Sequence, residues 1–173
     1  RILDMCTGSG CILLSLLKYS NECEGIGIDI SDQALAVARE NAKRLELDAV
    51  FLEGDLFAPL ADFVSEKTTD RLFDLVVSNP PYIETNTVKT LSKEVQNEPI
   101  TALDGGEDGL VFYRAIAKNW VPLLKNDGRI FAEIGEDQAV AVTEIFENHG
   151  LKCQTIKDLN GHDRVIIGTV KDI

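Results

Sequence analysis

The stretch Phe73-Asp74-Leu75-Val76-Val77-Ser78-Asn79-Pro80-Pro81-Tyr82-Ile83 decides the fold class of this chain. Leu75, Val76 and Val77 form an apolar run without alternation, which is typical of a strand buried on both faces. The two prolines end the strand, because each fixes its own φ and pushes the residue before it into an extended conformation. We therefore predict a rigid corner at the carboxyl end of a buried strand, where open α/β sheets bind ligands.

The residues of this corner are suited to a planar amino group. Asn79 supplies a side-chain acceptor oxygen, and no local N–H competes for the Pro80 carbonyl because Pro81 has none. Two acceptors on a stiff backbone can bind both hydrogens of an NH₂ group, and Tyr82 adds an aromatic face and a hydroxyl. An ordinary strand-ending turn is the alternative, and the strand before the corner and the glycine turn described next favour a site.

A glycine turn lies near the start of the chain. Ile2–Met5 is a predicted strand, and Cys6-Thr7-Gly8-Ser9-Gly10 separates it from an apolar helical stretch that reaches Leu17. Strand, glycine turn and helix are the beginning of a nucleotide-binding βαβ unit, in which Gly8 and Gly10 allow a ligand to approach the backbone. A purely structural tight turn is the alternative.

The second predicted strand, residues 25–30, carries an acidic residue near its end. Asp29 lies 19 residues beyond Gly10, and a carboxylate about 20 residues on is placed to accept hydrogen bonds from ribose hydroxyls. An edge or capping residue is the alternative for Asp29 alone. Together, the turn and the spacing indicate an adenosine-type ligand.

The charge of the site indicates which adenosine-containing ligand it would bind, a dinucleotide or S-adenosylmethionine. A dinucleotide pattern has a third small residue where this chain has Leu13, and the turn has no lysine or arginine to neutralise a pyrophosphate beside Asp4 and Asp29. A cationic sulfonium, S-adenosylmethionine, is better suited to an acidic site. We expect Asp4 either to face the positive end of that ligand, through water or its amino group, or only to tie down the loop.

A third predicted strand, residues 49–53, ends at Gly54-Asp55-Leu56-Phe57. Asp55 is suited to the adenine amino group and Leu56 to the face of the ring. The alternatives are that Asp55 caps a helix and that Leu56 belongs to the core.

Length and composition narrow the class of protein. The 173 residues fit one domain, and no apolar run is long enough for a membrane span. The net charge of −12 argues against a large phosphate-backbone binder. The four cysteines and two histidines lack the spacing of a metal site, and reduced cysteines are typical of a cytoplasmic protein.

The rest of the chain alternates helices and strands. After the Ser31-Asp32 cap, residues 33–45 are a predicted helix with Leu35, Ala38, Ala42 and Leu45 on its buried face. Residues 84–108 are polar and irregular, and such a segment after a candidate active-site corner is often a lid or substrate wall. The other predicted elements are helix and loop over 58–70, helices over 109–120 and 137–148, and strands over 129–134, 152–159 and 165–170, with turns at Asp127-Gly128 and at 160–163.

Three further stretches complete a pattern with the corner, Asp29 and the first turn. They are Glu98-Pro99-x-x-Ala102-Leu103-Asp104-Gly105-Gly106-x-Asp108-Gly109-Leu110, Glu133-Ile134-Gly135-x-x-Gln138 and Asp158-Leu159-x-Gly161-x-Asp163-Arg164. With them, essentially the whole chain resembles the peptide chain release factor glutamine methyltransferases, which use S-adenosylmethionine. The family often has glycine where this chain has Cys6. Asn-Pro-Pro-Tyr is shared with adenine methyltransferases, so the stretch from Glu98 to Leu110 carries the narrower resemblance.

The resemblance implies a Rossmann-like α/β fold, with a mostly parallel seven-stranded sheet, an antiparallel last strand and helices on both faces. It implies methyl transfer from S-adenosylmethionine, leaving S-adenosylhomocysteine, to the glutamine side-chain amide nitrogen in the Gly-Gly-Gln motif of release factors. Residues 1–173 would be the catalytic domain, without the family's upstream helical domain. The expected catalytic residues are Asn79, Pro80 and Tyr82, which bind substrate together with Pro81. The expected cofactor contacts are Asp4, Cys6, Thr7, Gly8, Ser9, Gly10, Asp29, Ile30, Asp55, Leu56 and Asn79.

Three other functions fit parts of the sequence. Adenine N6-methylation of nucleic acid uses the same corner on a flipped base, but it favours a basic groove. A catalytically silent module that binds S-adenosylmethionine would not need the intact corner from Asn79 to Tyr82. A nicotinamide dehydrogenase fits least well, because of the glycine pattern. We therefore expect no direct binding of nucleic acid and no membrane association.

Overall fold

The computed structural model describes residues 1–20, 22–55, 72–92 and 98–171. The described strands form one seven-stranded sheet in the order β3-β2-β1-β4-β5-β7-β6. They are β1 Ile2–Met5, β2 Gly25–Asp29, β3 Val50–Glu53, β4 Phe73–Ser78, β5 Leu124–Glu133, β6 Leu151–Lys157 and β7 Asp163–Val170. Strands β1 to β5 pair in parallel, and β7 runs antiparallel to both β5 and β6. The predicted Rossmann-like sheet with an antiparallel last strand is confirmed.

Helices pack on both faces of this sheet. They are α1 Cys11–Tyr19, α2 Asp32–Leu45, the single turn α3 Thr85–Val88, α4 Val111–Asn119 and α5 Ala139–Glu147, with short 3₁₀ segments at Ile100–Ala102 and Val121–Leu123. The predicted cap of α2 is present, since the Ser31 hydroxyl accepts a hydrogen bond from the Ala34 amide at 3.2 Å. Among the described helices, none combines the length and apolar character needed to cross a membrane.

The two faces of the sheet bury separate parts of the core. On one face, α1 and α2 cover Ile2 and Phe51 with leucines and alanines. On the other, α4 and α5 cover Leu3, Val76 and Ile130, and the buried Trp120 closes this larger cluster. Because side chains alternate along a strand, neighbouring residues of β1 contribute to opposite clusters.

The order of the strands places a ligand site. The chain leaves β1 towards β2, whereas β4 lies on the other side of β1, with Met5 level with Ser78. This reversal is a topological switch point, where the carboxyl ends of two neighbouring strands diverge and leave a crevice. The glycine turn follows β1 and the proline corner follows β4, so both predicted site elements flank this crevice.

Some predicted boundaries were wrong. Strand β5 begins at Leu124, not at Arg129, and the predicted Asp127-Gly128 turn is a bulge inside it, because the pairing with β4 jumps from Leu124 to Arg129. Residues 84–108 are not wholly irregular, since they contain α3 and a 3₁₀ turn. Leu45, predicted to be buried, is 37% exposed as the last residue of α2. The prediction for residues 58–70 lies outside the described residues.

Candidate active site

A cavity of about 580 Å³ lies at the carboxyl ends of the strands. One side is the turn wall, residues 4–10 and 28–31, from which Gly8, Asp29 and Ile30 line the cavity. The opposite side is the corner wall, residues 79–82 and 98–109, from which Asn79 and Asp104 line it. The structure therefore brings the two predicted halves of the site to one cavity.

The turn wall explains why glycine suits the position of Cys6. Cys6 has φ +56°, as does Gly8, so a side chain is held in the left-handed region that favours glycine. The Cys6 side chain lines the cavity. Burial, followed by the nearby carboxylate of Asp29, raises the pKa of the Cys6 thiol to about 12. The thiol therefore stays protonated and is a contact surface, not a nucleophile.

Asp4 and Thr7 form a buried pair beneath the turn. The Thr7 hydroxyl donates to Asp4 Oδ2 at 2.7 Å, and only 1% of Asp4 is exposed. Burial raises the pKa of Asp4 to about 7, although the Thr7 hydroxyl and the Leu13 amide oppose the rise. The other oxygen, Asp4 Oδ1, has no hydrogen-bond partner of normal geometry among the described residues. The contact with Thr7 ties down the loop, and a role for Asp4 in contacting a ligand stays a prediction.

Asp29 joins the turn wall to the beginning of α2. Its Oδ2 accepts from the Gly8 amide at 2.8 Å, and its Oδ1 accepts from the Ser31 amide at 2.9 Å. Each carboxylate oxygen has a second lone-pair direction, so Asp29 can accept two more hydrogen bonds from a ligand in the cavity. These backbone contacts fix the carboxylate before any ligand binds.

The other predicted cofactor residues divide into two groups. Ile30 and Asp55 line the cavity, whereas Leu56 lies outside the described residues. Thr7, Ser9 and Gly10 belong to the turn wall but are not among the described residues that line the cavity. Ser9 instead accepts a hydrogen bond from the Asn41 side chain through its carbonyl at 3.0 Å, which connects the turn to α2.

The structure places the predicted corner after β4 at the edge of the cavity. Pro80 and Pro81 are buried, whereas Asn79 is exposed and lines the cavity beside Pro81. Among the described residues, the Asn79 side chain has no hydrogen-bond partner, so its oxygen is available to a ligand. The half-buried Tyr82 does not line the cavity; its hydroxyl lies 3.5 Å from Glu133 Oε1, and burial raises its pKa.

The glycines of segment 98–109 allow the segment to pack against the corner. A Cβ on Gly105 would lie 2.8 Å from Tyr82 Cα, and one on Gly109 would lie 2.5 Å from the Tyr82 carbonyl oxygen. Ile83 pairs with this segment too, donating to the Leu103 carbonyl at 3.0 Å and accepting from the Gly105 amide at 2.8 Å. A side chain at either glycine would push the segment away from the corner.

The motif from Asp158 to Arg164, at the β6–β7 turn, stabilises the end of β5 beside the corner. Asp158 accepts from the Asn160 and His162 amides at 2.9 and 3.1 Å and pairs with Arg164 at 3.3 Å. Arg164 in turn donates to the Ile134 carbonyl at 3.1 Å. The β6–β7 turn therefore braces the end of β5, which lies beside Tyr82.

Sequence reasoning missed several residues of the cavity. Residues 99–102 and Asp104 line it, which confirms that part of segment 84–108 is a wall. These residues lie in the stretch from Glu98 to Leu110 that carries the family resemblance, but the resemblance assigned them no function. Ser31, Ala34 and Phe112 also line the cavity. The sequence identified Ser31 only as a helix cap, and no sequence signal singled out Ala34 or Phe112, which are ordinary residues near the starts of α2 and α4.

The charged residues of the cavity favour a cationic nucleoside over a pyrophosphate as the ligand. Its described wall carries the carboxyl groups of Asp29, Asp55 and Asp104, and no lysine or arginine lies in that wall. A pyrophosphate would face uncompensated like charge there, whereas a sulfonium would be attracted. The volume and the fixed carboxylate of Asp29 fit an adenosine-type ligand.

The strand order, the glycine turn and the corner after β4 define a Rossmann-like ligand-binding domain of the methyltransferase class. The chain belongs to the methyltransferase domain family, whose model matches residues 1–149. A solved methyltransferase structure from Pyrococcus furiosus shares this fold, with a TM-score of 0.68 and 15% identity over 97% of this chain and 73% of that one.

Two relatives are named release factor glutamine methyltransferase. The protein from Caulobacter vibrioides is 47% identical over 171 residues, covering 96% of this chain and 56% of its own length. The protein from Thermodesulfovibrio yellowstonii is 43% identical over 170 residues, covering 96% and 58%. The chain thus spans somewhat more than half the length of these relatives.

Proposed function

We propose that this chain transfers a methyl group from S-adenosylmethionine to the side-chain amide nitrogen of the glutamine in the Gly-Gly-Gln motif of peptide chain release factors. The observation that carries the proposal is the exposed Asn79 side chain on the same cavity as Gly8 and Asp29. The names of the relatives support the choice of release factors as substrate.

The turn wall, together with Asp55 after β3, would hold the cofactor. Asp29 accepts hydrogen bonds from the ribose hydroxyls, and Asp55 accepts one from the adenine amino group. Ile30 packs beside the adenine ring, and Leu56 is expected to contact the face of the same ring. The acidic wall attracts the positive charge that the bound cofactor carries. When bound, S-adenosylmethionine supplies a methyl group activated by its sulfonium sulfur.

The corner wall would hold the glutamine amide. The nitrogen of a primary amide is a weak nucleophile, because its lone pair is delocalised into the carbonyl. As the N–C bond forms and the sulfur–methyl bond breaks, leaving S-adenosylhomocysteine, the nitrogen would become more positive, and the oxygens of Asn79 and Pro80 would stabilise that charge through its two hydrogens. No general base is needed, because the methylated amide then loses one proton to water. Most of the rate comes from positioning and from fixed dipoles.

Tyr82 does not line the cavity described above, and we propose that its ring packs against the amide plane of the glutamine once the substrate is bound beside the corner. The raised pKa of Tyr82 keeps its hydroxyl protonated, so the residue contributes a surface and not a base. Pro81 is the rigid connection that holds Tyr82 and Pro80 at fixed positions.

We further propose that residues 1–173 form the catalytic domain of a cytoplasmic protein, and that an upstream helical domain contributes to release factor binding. The support is the family resemblance and the greater length of the relatives.

The test is to incubate the chain with S-adenosylmethionine carrying a labelled methyl group, together with either a purified release factor or DNA and RNA. We expect label in the release factor, at the Gly-Gly-Gln glutamine by mass spectrometry. A release factor with alanine in place of that glutamine is the matched control and should stay unlabelled. Label in adenine, or equal label in the control, would contradict the proposal, since adenine N6-methylation uses a similar planar amino group.

A further inference from the structure

Gln138 lies at the beginning of α5, just after β5, and its side-chain amide joins three backbone segments. Its Nε2 donates to the Tyr82 carbonyl at 2.9 Å and to the Gly109 carbonyl at 3.2 Å. Its Oε1 accepts from the Gly135 amide at 2.9 Å. One half-buried amide thus connects the corner after β4, the glycine segment before α4 and the loop after β5.

These contacts determine which way the amide points. Two carbonyls face the nitrogen and one amide N–H faces the oxygen, so the opposite orientation would place acceptors against acceptors. Glycines make the space for it, since a Cβ on Gly109 would lie 2.7 Å from Nε2 and one on Gly135 would lie 3.1 Å from Oε1. The buried Tyr113 hydroxyl, which donates to the Glu133 carbonyl at 2.7 Å, lies 3.5 Å from Oε1.

The contact with the Tyr82 carbonyl is important for the corner. Asn79 and Pro80 are held from one side by β4, whose last residue donates from Ser78 Oγ to the Met5 carbonyl at 2.9 Å. From the other side, the corner is held by Gln138, which does not itself line the cavity. A shift of Tyr82 would therefore be transmitted through two stiff prolines to the Pro80 carbonyl and to Asn79, which lines the cavity.

We propose that Gln138 is a positioning residue for methyl transfer, which holds the Asn79–Tyr82 corner in place through the Tyr82 carbonyl. This inference rests on the proposed function, because it assigns no chemistry to the corner beyond that function. Gln138 contacts neither cofactor nor substrate in this account and acts only through Tyr82 and Gly109.

The variant Gln138→Glu changes the chemistry of this contact with little change in shape. An ionised carboxylate has no donor, so two of its contacts become repulsions between oxygens, whereas the contact with Gly135 is kept. Protonation restores one donor. Burial beside carbonyl oxygens raises the pKa of such a carboxyl, so the loss should reverse as the pH falls from about 8.5 to about 6.

The experiment compares Gln138→Glu, Gln138→Met and the exposed control Gln154→Glu in β6. We expect kcat to fall about 10- to 100-fold in both Gln138 variants at high pH, as a displaced reacting group implies. The affinity for S-adenosylhomocysteine should stay within about twofold, because the turn wall is untouched. Only Gln138→Glu should recover turnover at low pH, and Gln154→Glu should match the wild type throughout.

Several results would overturn the assignment. One is unchanged kcat in both Gln138 variants while Asn79→Ala is inactive, which would leave the proposed function intact. Another is a parallel pH profile in Gln138→Glu and Gln138→Met, as a general loss of stability would produce. If Gln138→Glu does not fold, a loss of kcat without loss of cofactor affinity in Gln138→Met still supports the role, and its absence rejects it. Active Asn79→Ala would instead reject the proposed function itself.

Discussion

The two walls of the cavity are held together in different ways. In the turn wall, carboxylates bind backbone amides, as Asp29 does with Gly8 and Ser31, and the contacts join strands that are neighbours in the sheet. In the corner wall, backbone packs directly on backbone at Gly105 and Gly109, and one side-chain amide, Gln138, joins segments far apart in the chain. The first arrangement leaves charge for a cationic ligand, and the second leaves neutral oxygens for an amide.

This difference separates binding from turnover. Damage to the turn wall should weaken cofactor affinity, because its carboxylates supply the attraction. Damage to the corner wall should lower the rate at saturating cofactor, because its oxygens act on charge that develops during transfer. Four substitutions, two in each wall, test how the walls differ in turnover, affinity and stability.

Asn79→Ala should have the largest effect. Removing one of two acceptors at the reacting nitrogen should lower kcat by about 10²- to 10³-fold, as loss of a single group that stabilises transition-state charge typically does. Cofactor affinity, measured by calorimetry, should stay within about twofold. Asn148→Ala, at the exposed end of α5, is the matched control. Turnover near that of the wild type would remove Asn79 from the mechanism.

Gly109→Ala should disturb the corner wall alone. Its φ of +69° disfavours alanine, and the new Cβ would lie 2.5 Å from the Tyr82 carbonyl oxygen. Gly161→Ala is the control, because Gly161 has φ +88° but nothing within 4 Å of the Cβ position. We expect Gly109→Ala to lower the free energy of unfolding by about 3 kcal/mol, against about 1 kcal/mol for the control. If urea denaturation shows equal losses of unfolding free energy in Gly109→Ala and Gly161→Ala, the segment moves away from Tyr82 at no energetic cost, which would contradict this prediction.

Asp29→Ala should affect the turn wall. Loss of charged acceptors for the ribose hydroxyls should weaken S-adenosylmethionine binding by about 30-fold, or about 2 kcal/mol, with a smaller change in kcat. Asp48→Ala removes an exposed carboxylate with the same change in net charge and should leave affinity unchanged. Calorimetry that finds equal affinities in the two variants would contradict the ribose assignment.

Asp4→Asn should alter the pH dependence of stability. The folded-state pKa of Asp4, about 7, lies above the ordinary value of 3.8, so between these values the folded state binds more protons than the unfolded state. Wild-type stability should therefore fall as the pH rises through this window, and the uncharged asparagine removes that loss.

The advantage of Asp4→Asn in unfolding free energy should grow by about 3 kcal/mol from pH 4.5 to pH 7.5, as the two pKa values imply. Parallel stability profiles would show that Asp4 ionises freely in the fold. Cofactor affinity in the same variant decides between the two interpretations of Asp4, since a residue that only ties down the loop should leave affinity nearly unchanged.

The features that could be predicted from the sequence are those that depend on residues close together in the chain. The run before Asn79 identified a buried strand, the glycine turn identified the first βα unit, and the spacing to Asp29 placed a carboxylate beside it. Each of these depends on local backbone rules. The mostly parallel seven-stranded sheet and its antiparallel last strand followed from the family resemblance, whereas the order of the strands is known only from the structure.

The remaining parts depend on contacts that a sequence pattern does not show. Gln138 lies 56 residues from Tyr82, and its place in a motif gave no role to its side chain. The close approach of Gly105 to Tyr82 depends on the packing of two segments, not on either alone. The bulge in β5 was read as a turn before a strand, because Asp127-Gly128 has the same local signature in both.

A crystal structure of the chain with S-adenosylhomocysteine and a Gly-Gly-Gln peptide tests the central claim most directly. We expect the glutamine amide nitrogen to lie about 2.7–3.2 Å from both Asn79 Oδ1 and the Pro80 carbonyl oxygen, with the nucleoside hydroxyls bound to Asp29. An amide nitrogen bound away from these two oxygens, with the Asn79 side chain turned to another partner, would contradict it.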